Sequence, residues 1–356
     1  MNKNTVLVLG AGATLGGEFK VQIGGVNFVP PLDRNFFKTP VIQMLLTPSC
    51  YPALGYYSQD IGLETTWAKI DLLLKLCLSG VVSEENAYQT VKDGMNNRLN
   101  EDGQRDTSYL QKMERECCQS RLPSMAEWEL RSLVLRVYSG LRPPERAQES
   151  PLYKLVDALQ KSGVLCGVLT FNYDLSLETL CRPQFYYPLL ENTPSDMKLP
   201  LMKLHGSLNW QETPPKICLV DGVARMQYQN GMWTQPSVIG PTFFKQEITI
   251  DYQKDYRAIH YKRLWRFAWD LLSQARRIIF VGFSFPSTDF HVAALFRTAH
   301  LAGPGFQSAV VCHQNDQNVC SAIERVFAGR PVKFSCFPQG LGNMVERVDE
   351  VMSLLQ

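Results

Sequence analysis

An α/β fold built on a doubly wound parallel sheet, Rossmann-like in type, is what this sequence predicts, and three observations predict it. Short apolar runs of strand length alternate with helical periodicity from residue 151 to the end. The first such run, over residues 5–9, leads straight into a turn of small residues, Gly10-Ala11-Gly12-Ala13-Thr14. Each later polar cluster also follows an apolar run directly, and in a parallel sheet ligands bind beyond the carboxyl ends of the strands.

After the first strand and its glycine turn over 10–17 comes a loop rich in Pro and aromatics over 28–40, with Asp33 and Arg34 near its centre. Between residues 40 and 150 the alternation stops. The stretches beginning at Trp67 and Trp128 have helical spacing, and the polar residues 83–123 between them read as helical with loops. This region is expected to be a helical insertion within a single domain spanning 1–356. The α/β pattern then resumes with a helix over 152–161 closed by Gly163, a strand over 164–171 and a short strand over 201–204. Loops and short strands are expected over 208–256, broken at Pro214, Pro215, Pro236 and Pro241. A long helix over 256–275, a strand over 278–281 and a turn over 282–289 follow. The remaining elements are a helix over 290–300, a strand over 308–313, a helix over 317–327, a strand over 332–336 and a terminal helix over 344–355.

Composition excludes several functions. With 36 Lys+Arg against 34 Asp+Glu, the net charge of +2 lacks the basic surplus of a general nucleic-acid coat. No apolar run approaches the roughly 18 residues of a membrane span, and the N-terminal segment lacks the form of a signal peptide, so a cytoplasmic location is expected. Ten cysteines contain no CxxC pair, which argues against a four-cysteine zinc site and for buried apolar thiols. The motifs of P-loop nucleotidases and serine hydrolases are absent, as is the HExxH metal motif.

Four clusters remain. In the first, residues 10–14, small residues let backbone N–H groups approach a pyrophosphate. The dehydrogenase fingerprint fails there, because Leu15 stands where its third glycine belongs. The second, Thr170-Phe171-Asn172-Tyr173-Asp174, alternates three polar side chains that an extended strand end would point one way. Such ends are also common simply as turns. The third, Lys203-Leu204-His205-Gly206-Ser207, sets at a strand end a histidine whose ordinary pKa suits general base work. In the fourth, Gly282-Phe283-Ser284, the glycine and serine can meet a phosphate or ribose, while Phe283 stacks or, as the favoured reading, packs. Asp289 can serve the same site or cap the next helix, with capping favoured, and His291 in that helix reads as structural.

In this order the clusters resemble the sirtuins. That family carries a Gly-Ala-Gly turn, a Pro-Asp-x-Arg type loop, a Thr-Gln-Asn-Ile-Asp strand end, a His-Gly pair and a late Gly-Thr-Ser. Here the counterparts are residues 10–14, Pro31-Leu32-Asp33-Arg34, Thr170 to Asp174, His205-Gly206 and Gly282 to Ser284. The variants Phe171 to Asp174, Leu204 to Trp210 and Gly282 to Asp289 are most similar to the sirtuin-like domains of bacterial anti-phage defence. That resemblance implies an NAD hydrolase releasing nicotinamide and ADP-ribose, acting as an abortive-infection effector. Asn172 would position water and ribose. His205 would bind ribose hydroxyls or act as general base, and Asp174 would fix the loop or the ribose. Gly10, Ala11, Gly12, Ala13 and Thr14 would lie against the pyrophosphate, and Gly282, Phe283 and Ser284 on the adenosine side. Thr170 belongs to the same NAD-binding set, and Asp33 and Arg34 would form a lid near nicotinamide. No zinc is expected, because the two CxxC pairs of the deacylases are missing, and no acyl-lysine loop is recognisable after His205. A nucleotide-binding regulatory subunit without turnover is the alternative, with a protein deacylase below it. Implied partners are a second copy of the chain and a HerA-type ATPase, a short Argonaute-type protein or a phage protein, with residues 40–150 as their natural surface.

Overall fold

A computed structural model describes residues 3–46, 51, 53–54, 63–78, 121–181, 184–191, 198–224, 227–229, 232–240, 255–285, 289–313 and 316–355. The chain begins with β1 (Thr5–Leu9), α1 (Ala11–Gly16), β2 (Lys20–Ile23), β3 (Val26–Phe28) and a 3-10 turn (Asp33–Lys38). Next come α2 (Pro40–Leu45), α3 (Leu63–Leu78), α4 (Arg121–Ser139), β4 (Leu141–Arg142), α5 (Pro151–Lys161), β5 (Leu165–Thr170) and α6 (Ser176–Cys181). The middle of the chain supplies β6 (Phe185–Tyr186), β7 (Leu199–Lys203), β8 (Gly206–Thr213), β9 (Lys216–Leu219), β10 (Gln227–Gln229) and β11 (Met232–Val238). The last third supplies α7 (Tyr256–Gln274), β12 (Arg277–Val281), α8 (Phe290–Ala302), β13 (Ser308–Cys312), α9 (Asp316–Val326), β14 (Lys333–Phe337), α10 (Leu341–Glu346) and α11 (Val348–Leu354).

Seven strands form the central sheet in the order β14-β13-β12-β1-β5-β7-β6, and its neighbours pair in parallel. The doubly wound α/β architecture expected from the alternation is therefore present. β1 is buried at all five positions, as a strand covered on both faces must be, and its unbroken Val-Leu-Val-Leu run is the sequence form of that burial. The chain winds from β1 through β5 to β7 on one side, then crosses to β12 and winds outward through β13 to β14. The crevice between β1 and β12 is thus the topological switch point.

Several local expectations are corrected. The glycine turn is a short helix, α1. The short strands expected beyond residue 208 are present and join into one four-stranded antiparallel sheet, β10-β11-β8-β9, which the sequence did not indicate. Pro214 and Pro215 make the tight turn between β8 and β9, whereas Pro236 lies inside β11 and pairs with Gln211. The pairing slips just beyond Pro236, as the missing N–H of a proline requires. The terminal helix is divided into α10 and α11 at Arg347. A second small sheet, β3-β2-β4, had no counterpart in the sequence reading. The expectation for residues 83–123 lies outside the described residues except where 121–123 open α4, and Pro241 lies outside them too.

Two apolar cores result. One encloses the central sheet. The other gathers Phe36, Trp67 and Leu130 from the 3-10 turn, α3 and α4, and takes in Tyr173, Leu208 and Val238 from the sheet side. No helix among the described residues is long and apolar enough to cross a membrane.

Two positions make this fold testable. Gly282 follows β12 with φ +61, and a Cβ there would collide with the backbone of Gly12 and Ala13. The left-handed backbone alone costs an ordinary residue about 1–2 kcal/mol. Gly282→Ala is therefore expected to lower unfolding stability by at least that amount, read from the urea midpoint. The second is His260 in α7, where burial first and Arg263 second hold the imidazole down at about 4. As pH falls below 6.5 the unfolded chain takes up a proton that the folded chain refuses until about pH 4, so stability falls across that window. At 1.36 kcal/mol per pH unit the loss is at most about 3.4 kcal/mol. His260→Gln should flatten it, as urea midpoints at pH 7 and pH 4.5 would report.

Candidate active site

The carboxyl ends of β1, β5, β12 and β13 open into a cavity of about 560 Å³, a volume usual for small-molecule and cofactor sites. Gly10, Ala11, Gly12 and Thr14 line it, while Ala13 is buried behind them. The turn's amides are arranged otherwise than the sequence suggests. Gly10 N–H donates to Val281 O at 3.0 Å, Gly12 N–H to Gly282 O at 3.1 Å and Ala13 N–H to Gly10 O at 2.9 Å. These three groups are engaged within the protein, and exposed Ala11 forms the tip of the turn. The glycines serve a close backbone approach. A Cβ on Gly10 would lie 2.5 Å from Gly282 O, and one on Gly12 would lie 2.8 Å from Gly282 Cα.

The segment after β5 carries the second cluster. The strand ends at Thr170, so simple strand alternation does not aim the three polar side chains. Thr170 is buried, and its Oγ1 accepts from Asn172 N–H at 3.1 Å. Asn172 and Asp174 instead converge on Thr14. Asn172 Nδ2 donates to Gly10 O at 2.9 Å and to Thr14 Oγ1 at 3.3 Å. Thr14 Oγ1 donates in turn to Asp174 Oδ2 at 2.9 Å, and Ser176 N–H donates to Asp174 Oδ1 at 2.9 Å. Asp174 thereby fixes the loop, and the amide of Asn172 is held from its nitrogen side, leaving Oδ1 as its acceptor.

His205 sits between β7 and β8, and the backbone around it is held on several sides. Leu204 N–H donates to Thr170 O at 3.0 Å, Trp265 Nε1 to Leu204 O at 3.0 Å, and Ile239 N–H to His205 O at 2.8 Å. Gly206 follows with φ +86, and a Cβ there would collide with Ser237 O and the Tyr261 hydroxyl. Only glycine lets the chain turn at this point directly after the histidine. The imidazole is edge-on to Phe171 with centroids 5.2 Å apart, and its Nε2 lies 3.6 Å from Asp289 Oδ1. Asp289 occupies the N-cap position of α8, but its side chain makes no cap bond, which corrects the capping expectation. His291, in the first turn of the same helix, lies against Phe290 with the rings tilted and centroids 3.8 Å apart.

A residue quoted in the motif but given no role proves central to its support. Lys203 is fully buried, and its ammonium pairs with Glu178 at 2.9 Å and donates to the carbonyl of Asp174. Tyr187 donates to the same Glu178 at 2.6 Å and receives Asn209 Nδ2 at 3.1 Å. The sequence signal was the single Lys in an otherwise apolar strand, since a buried ammonium requires a partner.

Gly282, Phe283 and Ser284 line the cavity opposite, where Phe283 stacks on Phe171 at 4.7 Å and so packs, as favoured. Asp33 and Arg34 begin the 3-10 turn, and their side chains lie outside the described residues. Neighbouring Pro30, Pro31 and Leu32 do form part of the wall. The far wall brings in His313, Asn318 and Gln339, which the sequence reading did not single out. Cys312 also borders the cavity, with burial pushing its thiol up to about 12, so it is no nucleophile near neutral pH.

No family model matches the chain, and no curated protein matches it. Solved structures do match over nearly its full length. A Sir2 homologue–NAD complex aligns with a TM-score of 0.42 and 12% identity, over 99% of this chain and 90% of that chain. A mutant Sir2 homologue in complex with ADP-ribose gives 0.42 and 12%, over 98% and 93%. A sirtuin structure concerned with substrate affinity gives 0.41 and 13%, over 98% and 94%.

Proposed function

We propose that the chain is an NAD glycohydrolase, cleaving the nicotinamide–ribose bond to give nicotinamide and ADP-ribose. The observation that carries this reading is the meeting of Asn172 and His205 in one cavity, beside two interlocked glycine turns at the switch point of a parallel sheet. When the bond breaks, its electron pair stays on the ring nitrogen. Nicotinamide leaves neutral and needs no acid, while positive charge grows on the ribose. A water oxygen then bonds to the anomeric carbon and gives up a proton. Asn172 Oδ1 is the acceptor that holds this water or a ribose hydroxyl, because Nδ2 is already engaged by Gly10 and Thr14. His205 takes the proton. Asp174 and Asp289, both buried in the cavity wall, favour positive charge on the sugar. The turns at residues 10–14 and 282–284 flank the remainder of the dinucleotide, and Thr170 supports Asn172 from below.

The sequence resemblance supports a wider role as an abortive-infection effector that depletes NAD. Residues 40–150 would then be an insertion in a single domain, serving as the surface for a second copy or an activating partner.

Purified protein incubated with NAD is expected to release nicotinamide, and an acetylated peptide should not be deacylated. Asn172→Ala should lower turnover by about 10²–10⁴-fold, the usual worth of a positioned catalytic group, with the circular-dichroism spectrum retained. Near-wild-type cleavage by that variant would overturn the assignment. Thr14→Val should cost less, about tenfold, since it removes one neutral hydrogen-bond partner from Asn172 and one from Asp174.

A further inference from the structure

We propose that Asp289 is the positioning residue of His205: its carboxylate holds the imidazole in one tautomer and stabilises the imidazolium formed when His205 takes the water proton. The proposal rests on the NAD-cleaving reading above, which supplies that proton.

Three observations carry it. First, Asp289 stands at a helix N-cap position, where an aspartate ordinarily turns back to an N–H of the first helical turn, and it makes no such bond. Second, its Oδ1 lies 3.6 Å from His205 Nε2, with both side chains only 4% exposed. Charges so withdrawn from water interact strongly, and catalytic contacts of this length tighten when substrate fills the site. Third, the two residues come from far apart in the fold, His205 from the end of β7 and Asp289 from the segment between β12 and α8. β1 and β5 lie between those strands in the sheet, and both side chains still line the same cavity. Capping α8 would not require this convergence.

The other groups around the imidazole leave this role to Asp289. Phe171 and Tyr173 face it from the segment after β5, with ring centroids at 5.2 and 6.3 Å. Asp174 on that segment is engaged by Thr14 and Ser176, and Lys203 on β7 is paired with Glu178. With Nε2–H directed at the carboxylate, the acceptor lone pair is on Nδ1. The balance is then complete. The C–N bond pair leaves with nicotinamide, water oxygen bonds to the anomeric carbon, its proton goes to Nδ1, and Asp289 faces the resulting cation until the proton passes to solvent.

Asp289→Asn tests this, because Asn caps helices as well as Asp does and only the charge is lost. The titration of His205 is followed by NMR on histidine-labelled protein, with His205→Asn assigning the signal, alongside kcat and KM for NAD across pH. The His205 pKa is expected to fall by about one unit or more in Asp289→Asn. kcat should fall at least about tenfold, more than KM changes, and the acid limb of the profile should move to lower pH. Asp289→Glu should recover part of kcat. An unchanged His205 titration in Asp289→Asn would overturn the pairing, and a lowered pKa with kcat intact would overturn the positioning role. A lowered pKa in a protein that never cleaves NAD would uphold the pairing and sink the hydrolase reading instead.

Discussion

Gly10 joins three strand ends through its backbone alone. Its N–H donates to Val281 O at the end of β12, and its carbonyl accepts both from Ala13 N–H in α1 and from the Asn172 amide beyond β5. A side chain at this residue would strike Gly282 O, and one at Gly282 would strike the turn opposite. Backbone has to meet backbone here, and the position of every group in the cavity follows from that seat. It sets the distance between the two turns at the switch point, and it gives Asn172 a fixed acceptor that does not depend on another side chain's rotamer. Phe171 N–H donates to Leu9 O at 3.2 Å, which extends the same tie by one more residue.

The segment from Phe171 to Asp174 shows how packing then aims chemistry. Phe171 is buried in the core around the central sheet, and Tyr173, two residues on, is buried in the core shared with α3 and α4. Tyr173 is further fixed by its hydroxyl, which donates to Ile239 O at 2.8 Å. The polar residues that alternate with them, Asn172 and Asp174, therefore emerge at the seam of the two cores, where the cavity lies. Burying two aromatic rings contributes several kcal/mol. That is far more than rotating one asparagine would gain, so the loop's orientation is set by apolar packing and only trimmed by hydrogen bonds. Lys203 completes the support from beneath by donating to the Asp174 carbonyl while its charge is matched by Glu178.

What the sequence made legible follows from the range over which each signal acts. The alternation of buried runs with amphipathic helices is local, and it read out six of the seven central strands and the flanking helices α5, α7, α8 and α9 within a residue or two, while the two-residue β6 and the six-residue α6, too short to carry a period, were missed. The polar clusters could be found because each interrupts an apolar run, and ten of the proposed site residues do line one cavity. The failures are of a different kind. Pro236 reads as a break because a proline lacks an N–H, but a slip in the pairing absorbs that loss inside β11. The amides of the glycine turn read as free to meet a phosphate because their partners, Val281 and Gly282, lie at the other end of the chain. Asp289 reads as a cap because helix capping is a rule about near neighbours, and nothing near it in sequence announces His205.

The charges of the site sort themselves by the same separation of local and distant partners. Lys203 and Glu178 neutralise each other inside the protein, so neither presents net charge to the cavity. Asp174 is buried in the wall but satisfied by Thr14 and Ser176, and Asp289 is buried against the His205 imidazole. The burial of two carboxylates is costly unless something positive meets them. In the proposed reaction the positive group is first the nicotinamide ring, then the ribose, and finally the His205 imidazolium. The same two carboxylates can thus face a positive charge at each stage as it moves from substrate to protein. Removing the Asp289 charge alone would leave the glycine seat and the Asn172 amide in place while weakening the last of these stages most, because Asp289 lies against His205. That is why the effect of that substitution belongs chiefly in the protonation of His205 and in kcat, and less in the affinity for the dinucleotide.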